Sequence, residues 1–216
     1  MKPFGPIYCE TPELLAGGFP FEPWNTFSNV AILFGLWALY VVHRRAPRTW
    51  DLYALAALLV MNGVGSFLWH GTRERWALSL DVNPALVFLV GLIFVWAWRV
   101  SPLWQSALLV ALLLVASYAL RAFGLGFGGW WGTVAPAVVA AAVWLMWRTW
   151  EHSRRATLLG SLAMGSALVA LGFRALDRAA CDTIAFGTHF LWHIALSCAA
   201  FLCLLALVAL VEAKKR

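Results

Sequence analysis

The stretch from Asn62 to Pro84, NGVGSFLWHGTRERWALSLDVNP, joins the tail of one apolar run to the head of the next. Ser66 and His70 are four apart, so on a helix they share a face. A short connection later come Asp81, Asn83 and Pro84. A hydroxyl, an imidazole and a carboxylate are costly inside so greasy a chain unless they are paired or used. Far downstream HFLWH, His189 to His193, again sets two imidazoles one helical turn apart. Three histidines and an aspartate at helix ends are the pattern to explain.

Around this stretch the 216 residues are 62% hydrophobic and 12% charged, with fourteen tryptophans and a positive mean hydropathy. That composition belongs to polytopic membrane proteins rather than to a soluble core. Crossing a bilayer takes about 20 mostly apolar residues per helix. Seven such runs, 24–43, 51–70, 82–98, 103–121, 130–150, 157–176 and 188–211, are separated by short polar connectors. The expected fold class is all-α, a polytopic seven-transmembrane-helix bundle, with 1–216 as a single domain.

Odd-numbered spans end and even-numbered spans begin on one side. That side gathers ten basic residues, Arg44, Arg45, Arg48, Arg99, Arg148, Arg154, Arg155, Lys214, Lys215 and Arg216. The other side holds six, Lys2, Arg73, Arg75, Arg121, Arg174 and Arg178. With connectors this short, the asymmetry puts the basic tail 212–216 in the cytoplasm and the arm 1–23 outside. Seven of the ten acids, Glu10, Glu13, Glu22, Glu74, Asp81, Asp177 and Asp182, collect outside. The net charge of +6 is thus a topology signal, and nucleic acid is set aside as a partner.

Residues 1–23 hold glycines, prolines and charges without an apolar core, so no cleavable signal is expected and the first span inserts as its own. Pro23 lies near the first turn of that span, where its missing amide is harmless. Glu22 reads as an acid complementing the helix dipole, and Asn25, Ser28 and Asn29 as bridges to neighbouring helices. Cys9 and Cys181 both fall outside, where an oxidising compartment permits a disulfide. Cys198 and Cys203, inside the last span, read as packing residues.

Asp81, with Pro84 three residues on, reads as the capped start of the third span, and Gly71 to Leu80, with Arg73, Glu74 and Arg75, as a solvated rim. Pro136 is the one expected kink. The glycines at 124, 126, 128 and 129 mark a connector that could border an access route, and Arg174 to Thr188 forms the sixth connector. Trp24, Trp69, Trp76, Trp130, Trp131 and Trp192 are expected at the outer boundary, and Trp50, Trp96, Trp98, Trp104, Trp147 and Trp150 at the inner one, a double aromatic belt. His43 and His152, at the cytoplasmic ends, are boundary residues.

In this topology His70 ends the second span outside, Asp81 opens the third, and His189 and His193 open the seventh. All four therefore reach the same membrane depth. Three neutral imidazoles with one open position suit a catalytic zinc, which lowers the pKa of a water towards about 7 and polarises a carbonyl. Asp81 would take that water's proton and pass it to a leaving amine. Ser66 would donate to the developing oxyanion or to the water. On the residues alone two other readings stay open: histidines that merely pack and hydrogen-bond, and a bis-histidine haem site in which the third imidazole is spare.

With Ser66-x3-His70-x-Thr72, Asp81-x2-Pro84, His189-x3-His193 and Glu22-x-Trp24-Asn25-Thr26-x-Ser28-Asn29, the sequence resembles the alkaline ceramidase family from about Tyr8 to the end of the seventh span. That family shares a seven-helix superfamily with the adiponectin/progestin-type receptors and haemolysin-III-like proteins. The resemblance implies an intramembrane zinc on His70, His189 and His193, with Ser66 and Asp81 at the metal, and hydrolysis of the ceramide amide to a sphingoid base and a fatty acid. It also implies a disulfide, which maps onto Cys9 and Cys181. It further implies calcium near the zinc, bound through an Asp-Trp-Cys-Glu-x-Asn-like stretch and a later glutamate. Here that stretch is Ile7-Tyr8-Cys9-Glu10-Thr11-Pro12. Two oxygen donors are replaced by Ile7 and Pro12, so Glu10 and Glu22, with Glu13 as a substitute, must serve where six or more oxygens are wanted.

The leading expectation is a zinc-dependent intramembrane amidase that hydrolyses ceramide or a related N-acyl lipid. The alternative is a receptor-like or scaffolding bundle with structural zinc, which would need neither Ser66 nor Asp81. Richness in alanine, arginine and tryptophan is in keeping with a GC-rich bacterial genome, and hence with a plasma membrane whose outer side carries the site.

Overall fold

A computed structural model describes residues 3–12, 18–122 and 129–215, the side chains of residues 121 and 129–136 excepted. Among these residues the chain forms helices α1 (Pro23–Phe27), α2 (Ala31–Arg45), α3 (Trp50–Thr72), α4 (Arg75–Val100), α5 (Leu103–Ala122), α6 (Gly129–Trp150), α7 (Arg154–Ala180) and α8 (His189–Ala213), and no strand. Six spans are long and apolar enough to cross a membrane, the first being Pro23–Arg45, which takes in α1 and α2. In α6 the described side chains cover a shorter apolar stretch, Ala137–Trp150. The protein is an all-helical, integral multi-pass membrane protein.

Each span packs on its neighbour in the chain, and the ring closes where α2 meets α8. Contacts of α8 with α3 and α4, and of α4 with α6, cross the middle. The core lies towards the end where α2 and α8 finish, built from Leu52, Leu55, Leu92, Ile93, Trp96, Leu204 and Leu207. Charge clamps close the same end. Arg45 makes a bidentate pair with Glu212, both bonds at 2.7 Å, and Arg99 meets Asp51 at 2.6 Å. Planar guanidinium matched to carboxylate is the strong form of such a pair.

The first span is not one unbroken helix. Polar side chains at its start crowd the carbonyls: Thr26 Oγ1 shares Glu22 O (2.6 Å) with the Thr26 amide (2.8 Å), and Asn29 Nδ2 takes the carbonyls of Asn25 (2.8 Å) and Thr26 (3.1 Å) that helical amides would use. Such competition from Asn, Ser and Thr breaks the ladder between α1 and α2.

The third span begins earlier than Asp81. Arg75 to Leu80 is helical, so Asp81 lies in the second turn of α4 and does not cap it, and Pro84 is inside the helix. Trp, Ala and Leu in this segment are ordinary helix formers, and their polar neighbours did not mark an end. Pro84 has no amide for the Leu80 carbonyl. Gly65 lies against that carbonyl, and a Cβ there would collide with it. Hydrogen at this position lets α3 and α4 close up where Ser66 meets Asp81.

The expected sixth connector likewise shortens, because α7 runs on to Ala180. The rim Gly71 to Leu80 is not solvated throughout, since Arg73 is buried. Three tryptophans expected in the belts are interior: Trp69, Trp192 and Trp96 are buried, and Trp96 Nε1 donates to Thr149 Oγ1 at 2.8 Å. Trp24, Trp76, Trp50, Trp98, Trp104, Trp147 and Trp150 do face outward. Glu13, the connector glycines 124, 126 and 128, and the side chains of Trp130, Trp131 and Pro136 lie outside the described residues.

Gly65→Val is expected to overpack the α3–α4 contact at a cost of about 1–3 kcal/mol, lowering the melting temperature of the detergent-purified protein. At Gly172, where a Cβ meets open space, Gly172→Ala should leave it equal or higher.

Candidate metal centre

The end of α3 and the first two turns of α8 place three buried histidines together. One ring nitrogen from each of His70, His189 and His193 lies within 4.8 Å of the others. The ring centroids are 4.7 Å apart for His70 and His193, 4.6 Å for His189 and His193, and 5.3 Å for His70 and His189.

Two of the rings are fixed by their other nitrogen. His70 Nδ1 meets Glu22 Oε2 at hydrogen-bond distance. A carboxylate can only accept, so Nδ1 carries the hydrogen and a neutral ring keeps its lone pair on Nε2. His193 Nδ1 lies 2.9 Å from Ser28 Oγ. That hydroxyl donates to Asn25 O at 3.2 Å, so it accepts from Nδ1 and again leaves Nε2 free. Partners of this kind orient metal-ligating imidazoles and raise their basicity.

His189 is set from outside its ring. Asp177, near the end of α7, accepts the backbone N–H groups of Thr188 (2.8 Å) and His189 (2.9 Å) on one oxygen. A carboxylate on these free amides caps the start of α8 and fixes where His189 begins it. The imidazole then stacks on Tyr8, centroids 3.8 Å apart, and the Arg174 guanidinium lies 3.4 Å from its Nδ1. The arm that brings Tyr8 is tied down by a disulfide between Cys9 and Cys181, with Cα atoms 5.2 Å apart.

Ser66 and Asp81 face the same space. Ser66 is within hydrogen-bonding reach of the Asp81 carboxylate, and Asn62 Nδ2 donates to Asp81 O (2.8 Å) and Oδ1 (3.2 Å). Both line a cavity of about 320 Å³, with His70, His189, His193, Tyr8 and Arg174 at its polar end. Its remaining walls are apolar and run past Leu59, Phe88 and Leu92 to Trp96, Met146 and Gly160. Small-molecule sites have this character, a mostly apolar cleft with a few polar groups aimed inward.

The two glutamates expected near the site, Glu10 and Glu22, have partners within the chain. Glu10 accepts from the backbone amides of Trp24 (2.7 Å) and Asn25 (2.9 Å). Burial raises its carboxyl above the usual carboxylate range, and those two amides offset only part of that rise. Glu22 is sealed from solvent, with Thr11 Oγ1, Asn25 Nδ2, His70 and Arg73 around its two oxygens. Burial raises it above the usual carboxylate range, and the Arg73 guanidinium offsets part of that rise. Sequence spacing gave no sign of Tyr8, Arg73, Arg174 or Asp177 at the site, whereas Asn62, four residues before Ser66 and eight before His70 in α3, lies on their face and could have been found by the same spacing. His43 and His152 are exposed at the opposite end, and Cys198 and Cys203 are free thiols.

The family model described as Ceramidase matches residues 9–216. No curated protein matches the chain.

Ser28→Ala should weaken retention of a divalent metal about tenfold by releasing the His193 ring. The readout is the chelator concentration that strips the metal, followed by elemental analysis. His43→Ala should leave it unchanged.

Proposed function

The chain belongs to the ceramidase family, hydrolases of lipid amide bonds, and from that premise we propose that it is a zinc-dependent intramembrane amidase acting on ceramide or a related N-acyl lipid. The observation that carries this reading is the position of the three histidines, at the polar end of an otherwise apolar cavity with Ser66 and Asp81 on its wall. A structural metal would need no such chamber. An acyl chain can lie along Leu92, Trp96 and Met146 while its amide reaches the histidines.

The donor set fits zinc. His70 and His193 have Nδ1 engaged and Nε2 free, and the three nitrogens are close enough to share one ion with a position left open. Bound there, zinc supplies a Lewis acid for the amide carbonyl and a lowered water pKa. The rings are too close together for a macrocycle to pass between any pair, which disfavours the haem alternative.

In the proposed reaction Asp81, held by Asn62, accepts a proton from the attacking water as the new C–O bond forms. It then gives that proton to the amine nitrogen as the C–N bond breaks, so one water is consumed and a fatty acid and a free long-chain amine leave. Ser66 donates a hydrogen bond to the oxygen on which negative charge develops. The apolar walls and the arm over the polar end limit access of bulk water, which strengthens both interactions. The excess of basic residues at the opposite ends of the spans supports an extracytoplasmic chamber.

Asp81→Asn should reduce turnover by about 10²–10⁴-fold, and Ser66→Ala by about 10²–10³-fold, with metal content unchanged in both. Mass spectrometry of products from a mixed lipid extract, with and without chelator, measures this. Full turnover in either variant would overturn the assignment. A chelator that lowers the melting temperature of a protein with no hydrolytic activity would favour structural zinc.

A further inference from the structure

Calcium, which the resemblance implies, does not fit the residues present. Ile7 and Pro12 offer no side-chain oxygen. Each oxygen of Glu10 already accepts one backbone amide, from Trp24 and Asn25, and both oxygens of Glu22 carry two partners each, Thr11 with Arg73 and Asn25 with His70. A site wanting six or more free oxygens is not available among the described residues.

A cation of the chain's own stands there. Just beyond α3 the backbone turns into the left-handed region at Arg73 (φ 58°), held by its amide to Trp69 O at 2.8 Å. The side chain folds back beneath the arm. Nη1 lies 3.0 Å from Glu22 Oε1, and Nη2 donates to the carbonyls of Phe4 and Pro6, both at 2.7 Å. The guanidinium carbon is 4.1 Å from the Trp69 ring centroid. It thus holds one carboxylate and two main-chain carbonyls, the oxygen types that a hard divalent ion would draw. It is buried with them, and a guanidinium stays protonated where an ammonium would not. It keeps its charge without a soluble ion.

We propose that Arg73 is the built-in cation of this protein, taking the place of calcium: it pins the N-terminal arm to the end of α3 and, by holding Glu22, positions His70. Arg73 is a positioning residue, since it meets the metal centre only through Glu22. Glu22 and His70 then remain aligned whatever the calcium concentration. The consequences for activity and zinc retention rest on the zinc-amidase reading, whereas those for calcium binding and melting do not.

The test uses the full chain purified with its zinc. Millimolar calcium or a calcium-selective chelator should leave the wild-type melting temperature unchanged, and calorimetric titration should show no calcium uptake. Arg73→Gln should lower the melting temperature and make zinc about tenfold easier to strip with a chelator. Arg73→Lys, which restores the charge but not the fork, should recover part of both. Saturable calcium binding that raises the wild-type melting temperature would overturn the proposal even if no variant could be purified. So would an Arg73→Gln protein that melts and holds zinc like the wild type.

Discussion

A carboxylate sealed inside a hydrophobic bundle has to be neutralised where it stands, and Glu22 is that carboxylate. An unpaired charge at such depth costs several kcal/mol. Glu22 escapes the cost by meeting Arg73 from the end of α3, His70 from the last turns of α3, and Thr11 and Asn25 from the arm and α1. The same contacts that pay for burying the charge bring three parts of the chain, the arm, α1 and the end of α3, to one point. The imidazole that needs orienting is among them.

The rest of the bundle is arranged so that this polar end can exist. Its opposite end is a conventional apolar core closed by Arg45 with Glu212 and Arg99 with Asp51, which supplies packing that the polar end does not. Between the two lies the cavity, apolar for most of its length and polar where the histidines converge. Its walls come from α3, α4, α6, α7 and α8, so no single helix carries the chamber. The disulfide and the Asp177 carboxylate act on the same boundary, holding the arm and the start of α8 together.

Much of this was legible as pattern. Apolar runs of bilayer length announce spans because the physics is local: a backbone in hydrocarbon must bond to itself. The spacing of His189 and His193, and of Ser66 and His70, announces shared faces for the same reason. Boundaries were less legible. Asp81 and Pro84 look like a helix start, yet α4 was already running, since a polar side chain that finds partners such as Asn62 and Ser66 no longer marks an end. Arg73 looked solvated by its neighbours Glu74 and Arg75. Trp69 and Trp192 looked like boundary aromatics, though both are buried in the interior.

By itself, then, the sequence determined the class of solvent, the approximate spans and the sharing of one membrane depth by three imidazoles and a carboxylate, because periodicity and hydropathy act over a few turns of helix. Only the tertiary structure decided which nitrogen of His70 and His193 is free, that Glu22 serves His70, and that Arg73 lies beneath the arm. Those outcomes depend on contacts between residues 48 to 165 positions apart, where no local spacing rule reaches and the requirement to pair every buried charge selects the partner.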